Sequence, residues 1–178
     1  MIDNVIWSEV FYLKFYERYL NLYLDLLKNR RKWVHVLSLA FSSGGLLSSV
    51  QWDIAPLIGI SITAAIQIFS ILQEHVIMSQ ADLSRVIDLR ILCIYAFNKF
   101  EKLYLKYRCN KMTEDESIDE FYAIRQEFID IHKLFNALHL PPRKKLGKKA
   151  AMDSIVYLRD YFKLTDSVVS EAAAAVRL

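Results

Sequence analysis

An all-α fold is predicted: a membrane protein with a two-helix transmembrane hairpin, a cytoplasmic helical bundle and a homo-oligomeric assembly. Three observations predict it. The window from Trp33 to Leu72 has Asp53 as its one charged side chain, whereas the flanking segments hold nearly all of the Lys, Arg, Asp and Glu. On both sides of that window, apolar residues recur at steps of three and four, the helical period. No stretch shows a convincing strand alternation.

The 178 residues allow one ordinary domain, and 54% of them are apolar. A net charge of +3 says little about partners, so local charge placement carries the argument. Cys93 and Cys109 lie far apart on what reads as one helix, so free thiols in a reducing compartment are expected. No Cys/His cluster has metal-ligand spacing, and no cofactor is expected. The first apolar run follows some thirty residues bearing Lys14, Glu17, Arg18 and Asp25, which does not read as a secretory signal.

Residues 1–32 read as an N-terminal amphipathic helix. Lys14, Glu17, Asn21, Asp25 and Lys28 mark its polar face, and Trp7, Phe11, Phe15, Tyr16, Tyr19 and Tyr23 fill the rest. Packing on neighbouring helices and lying at a membrane interface both fit. Residues 33–74 read as the hairpin, with spans at about 33–50 and 54–72. A bilayer core needs about 20 helical residues. Trp33 and Trp52 would anchor the first span, and Pro56 falls in the first turn of the second, where its missing N–H does no harm. Lys28, Arg30, Arg31 and Lys32 precede the spans and Arg85 and Arg90 follow them, which places both termini in the cytoplasm.

Residues 75–164 read as the cytoplasmic helical domain. A helix from about Ser79 to Arg108 comes first. "CNKMTEDES" breaks it, with Thr113 and Glu116 spaced as a capping box for a helix running to about Leu138. "HLPPRKKLGKK" reads as a basic loop, followed by a helix from roughly Ala151 to Leu164. Residues 165–178 form a tail whose ending, "EAAAAVRL", is left out of the functional argument.

Two groups of residues are candidates for function. Ser38, Ser42, Gly45 and Ser49 make a face of small residues in the first span. Gly59, Thr63, Gln67 and Ser70 do so in the second. Such faces let helices pack closely, or line a polar path when several chains assemble. Gln67 would have to face protein or water, since an amide in hydrocarbon costs several kcal/mol. Arg143, Lys144, Lys145, Lys148 and Lys149 concentrate five cations within seven residues. They fit a solvated loop, attraction to anionic lipid, or a phosphate-bearing ligand, with Tyr104, Tyr107 and Tyr122 as stacking faces. His35 reads as a polar border residue. His132 and His139 stand two turns apart, too far to share a metal easily. With no nucleophile elbow and no phosphate-cradling glycine loop, the sequence does not read as an enzyme.

The aromatic N-terminal helix, the "KNRRKW" junction, the tight "SSGGLLSSVQWDIAPLIG" hairpin and the long helix after it resemble the SLATT group, two-span effectors of bacterial antiphage conflict systems. The similarity covers roughly residues 5–108. It implies a homo-oligomeric protein of the bacterial inner membrane that stays closed until a nucleotide-derived signal binds its cytoplasmic part. It then opens as an ion channel and dissipates ion gradients. The signal would be a cyclic oligonucleotide or a short nucleic acid made by a partner nucleotidyltransferase. No binding residue carries over by motif; the assignment of Arg143 to Lys149 to ligand rests on charge. A structural membrane adaptor docking a protein partner, and a constitutive membrane-disrupting toxin, are the alternatives.

Overall fold

A computed structural model of the chain describes residues 2–47, 64, 79–138, 140 and 143–162, with side chains in the first segment described to residue 36. Among the described residues every regular element is helical: α1 (Ile2–Leu47), α2 (Gln80–Arg108), α3 (Glu114–Glu127), α4 (Ile129–Ala137) and α5 (Lys144–Phe162). The all-α class stands. The membrane hairpin does not: among the described residues no helix is long and apolar enough to cross a membrane. The reason lies in α1. It runs without a break through the charged junction Lys28–Lys32, so its apolar part is continuous with a polar helix. Of the first expected span, residues 33–47 are the end of this helix, and residues 48–50 lie outside the described residues. The second expected span, 54–72, lies outside the described residues except for residue 64.

The chain divides into two compact units, one of residues 1–24 with those from Ala81 onward, the other Asp25–Gln80. In the second unit, Val34 is buried while Trp33 and Val36 are exposed. The first unit holds the core and is the one described below.

Its centre is a stripe on α1, Ile6, Val10, Leu13, Leu20 and Leu24, packed with Val86, Leu89, Cys93, Ala96, Phe100 and Leu103 of α2. Both sets step by three and four, so each helix turns one continuous face inward. Phe121 and Ile124 of α3, Ile131 of α4, and Ala150 and Leu158 of α5 complete it. At the opposite end of α1 from the junction, Trp7 lies 5.4 Å from the Tyr104 ring and 5.5 Å from Phe162. Tyr104 is therefore core and not a stacking surface.

Helix ends follow local chemistry. α2 stops in a Schellman arrangement: Asn110, at φ 51°, donates its N–H to the Tyr107 carbonyl, and Lys111 donates to Lys106, each at 3.0 Å. Asn tolerates that left-handed geometry better than most residues. α3 starts on the expected capping box. Thr113 Oγ1 accepts from the Glu116 N–H at 3.3 Å, and Glu116 Oε2 accepts from the Thr113 N–H at 2.8 Å.

Two boundaries differ from the sequence reading. The helix expected to reach Leu138 divides at Phe128, whose backbone (φ −102°, ψ 19°) leaves the helical region. Its ring is held 5.4 Å from the Lys99 ammonium, which also pairs with Glu127. The basic segment is no loop. The Arg143 carbonyl accepts the Gly147 N–H at 2.9 Å, and the helix begins at Lys144. Cations in a first turn oppose the helix dipole. Burial of Gly147, Ala150, Ser154 and Leu158 on one face outweighs that opposition.

Candidate functional site

The five expected cations divide by their position on α5. Lys144, Lys145, Lys148 and Lys149 are exposed, while Arg143 is half-buried just before the helix. Helical spacing turns the buried Gly147 and Ala150 inward and leaves the lysines on the outer surface. Arg143 and Lys144 alone of the five reach a cavity of about 220 Å³ in the first unit.

That cavity is walled by rings. Phe15, Tyr16 and Tyr19 come from α1, Phe135 from α4, and Leu140 lies between α4 and α5. The Phe15 and Tyr19 rings stack at 27° with centroids 6.2 Å apart. Tyr16 meets Phe135 edge-on at 4.7 Å. These ring pairs hold one another in place, as T-shaped and offset contacts do. Arg143 donates its backbone N–H to the Tyr19 hydroxyl at 3.3 Å, tying the start of α5 to the aromatic wall. Its side-chain Nε–H is buried and meets no acceptor among the described residues. A buried donor without a partner costs about 1–3 kcal/mol. Burial raises the Tyr16 phenol above its ordinary range, and the Tyr12 hydroxyl 2.6 Å away adds to the shift. Tyr16 is accordingly a neutral phenol in this wall.

The arrangement offers a largely apolar cavity of about 220 Å³ lined also by a guanidinium and an ammonium. Its volume is below the roughly 300–1,000 Å³ of drug-sized pockets, so it admits one ring system. Aromatic faces accept any base by stacking, and the cations match phosphate.

Of the residues the sequence singled out, Arg143 and Lys144 reach the cavity and none of the three tyrosines does. Tyr107 is half-buried, Tyr122 is exposed, and neither they nor Tyr104 line the cavity. Tyr19 and Arg143 are 124 positions apart, and no local pattern joins them. In the sequence Phe15, Tyr16 and Tyr19 stand out only as part of the aromatic face of the N-terminal helix. Ser38, Ser42 and Gly45 fall within the α1 backbone, whereas Ser49, Gly59, Thr63, Gln67 and Ser70 lie outside the described residues. His139 does too.

A second polar feature was hidden by its own period. Lys14 and Glu17, expected on a solvent face, are each only 8% exposed. They form an ion pair at 2.8 Å, with Arg18 and Arg90 each 3.9 Å from a Glu17 oxygen. The Lys14 ammonium sits 3.8 Å from the Tyr157 ring centroid and 4.8 Å from Phe97. Both cysteines are free, Cys93 buried and Cys109 exposed. No group of three or more His, Cys, Asp and Glu side chains is placed to hold a metal among the described residues.

Compared with protein-family models, with curated proteins and with solved structures, the chain matches none. The functional reading therefore rests on the geometry of the ring-walled cavity and its two cations.

Proposed function

We propose that the helical body of the first unit is the sensing part of an effector, and that it binds an anionic, ring-bearing ligand of the nucleotide class. The base enters the cavity against the wall formed by Tyr16, Tyr19 and Phe135, and a phosphate meets Arg143 and Lys144. Lys145, Lys148 and Lys149 add positive potential outside the slot and draw the anion in. The observation that carries the reading is the coincidence of ring walls and two cations, Arg143 and Lys144, in one cavity. A nucleotidyltransferase is the class of enzyme that would supply such a signal. Binding would act by favouring one arrangement of the chain, or of an assembly of its copies, over another. Ion conduction through a two-span hairpin is not part of this reading.

Thermal unfolding in the presence of ADP, the linear dinucleotide pApA, adenosine and inorganic phosphate tests it. A ligand that binds the folded state alone raises Tm. The nucleotides should raise it well beyond adenosine or phosphate alone, and Lys144→Glu should abolish most of the gain. An equal rise from adenosine would remove the phosphate from the reading. No rise from either nucleotide would remove the reading itself.

A further inference from the structure

A second cavity, also of about 220 Å³, lies on the other side of the Tyr16–Phe135 contact and is built differently. Its floor is apolar and buried: Leu13, Phe100 and Ile131. Its rim carries a carboxylate and a guanidinium, Glu9 and Arg125, whose nearest atoms are 4.0 Å apart. At that separation the two charges attract without the short N–H···O contact that a hydrogen bond requires. Both therefore retain hydrogen-bonding capacity toward a ligand. Arg125 is largely exposed, and a rim pair of this kind is worth little, so it opens at small cost.

We propose that this cavity binds a free amino acid with an apolar side chain. Glu9 would take the α-ammonium, Arg125 the α-carboxylate, and the side chain would lie on Leu13, Phe100 and Ile131. Charge selects the class. A plain anion would meet Arg125 but be repelled by Glu9, and a plain cation the reverse. A head with both charges one carbon apart satisfies both rim residues, and the planar guanidinium fits a carboxylate in bidentate fashion. The slot's volume favours one small molecule over a peptide segment. The site does not depend on the nucleotide reading: Arg143 and Lys144 take no part in it.

Isothermal titration of the full chain with L-leucine and L-phenylalanine tests the proposal, with N-acetyl-leucine and leucine amide as probes lacking one charge each. At least one of the two amino acids should bind, and both single-charge analogues should bind at least tenfold more weakly. Glu9→Gln should weaken leucine at least tenfold while leaving the weak binding of N-acetyl-leucine unchanged or improved. Arg125→Gln should do the same toward leucine amide. These residues lie on the rim, and an unchanged Tm in each variant confirms that the fold persists. N-acetyl-leucine or leucine amide binding as tightly as leucine would overturn the charge assignment. Absence of binding by both amino acids at millimolar concentration would overturn the site.

Discussion

Lys14 and Glu17 show how far a single side chain can depart from its sequence appearance. Their spacing of three places them on one face of α1, and charged residues on an amphipathic helix ordinarily face water. Here the pair is enclosed, because Tyr157 and Phe97 cover the ammonium and Arg18 and Arg90 flank the carboxylate. No local pattern reveals that, since the covering residues come from α2 and α5. Removing Glu17 leaves the buried Lys14 ammonium with rings but no carboxylate, at a cost of about 3–5 kcal/mol, whereas replacing both partners with apolar groups can be near neutral. Glu17→Leu should therefore destabilise the fold by that order in chemical denaturation. Lys14→Met with Glu17→Leu should recover most of the loss. The Thr113–Glu116 capping box was legible because it is entirely local. Thr113→Ala should cost about 1 kcal/mol. Hydrogen bonds from Thr113 hold the Glu116 carboxyl below its ordinary value of 4.5. A carboxyl lowered on folding contributes stability that is complete above the unfolded value and lost as pH falls through the folded one. Glu116→Gln should accordingly flatten the decline of stability at acid pH below 4.5. The two thiols separate by environment. Burial pushes Cys93 up to about 12, with the Glu17 carboxylate adding to it. Iodoacetamide at pH 8 should label Cys109 and spare Cys93 in the folded chain, because only the accessible thiolate reacts.

At the scale of elements, period and capping located most helices, and tertiary contacts moved two boundaries. α2 matched its apolar period closely, from Gln80 to Arg108 against an expected start near Ser79. The break at Phe128 had no glycine or proline to announce it, and its ring lies against Lys99. The start of α5 was misread because Pro141, Pro142 and Gly147 look like loop chemistry. Gly147 in fact lies on the buried face, where a larger side chain would hold α5 away from its neighbours. Leu158, 1% exposed, is the largest fully buried side chain of α5. Leu158→Ala should cost about 2–5 kcal/mol. It should also weaken nucleotide binding, since α5 presents Lys144 to the cavity. Equilibrium unfolding and a parallel titration check both effects.

At the scale of the molecule, the apolar period of three and four points to the helical class, whereas the uncharged window points to a membrane hairpin, for which no helix among the described residues is long and apolar enough. Hydropathy averaged over residues 33–72 ignored that the first part of that window continues a charged helix. The candidate site was half legible. A run of five cations is visible in any reading, but its function depends on which cation meets a ring. That depends on α1 and α5 being brought together across most of the sequence. Electrostatic attraction of a phosphate weakens with salt, while stacking in the slot does not. Nucleotide affinity should therefore fall as salt rises, and Lys144→Glu should reduce that dependence. The most direct measurement of the central claim is photo-crosslinking with 8-azido-ADP, followed by mass spectrometry of the labelled peptides. Label on Tyr16, Tyr19 or Phe135, competed away by unlabelled ADP, is the predicted result. Competable label confined to other helices, with these three rings untouched, would contradict it.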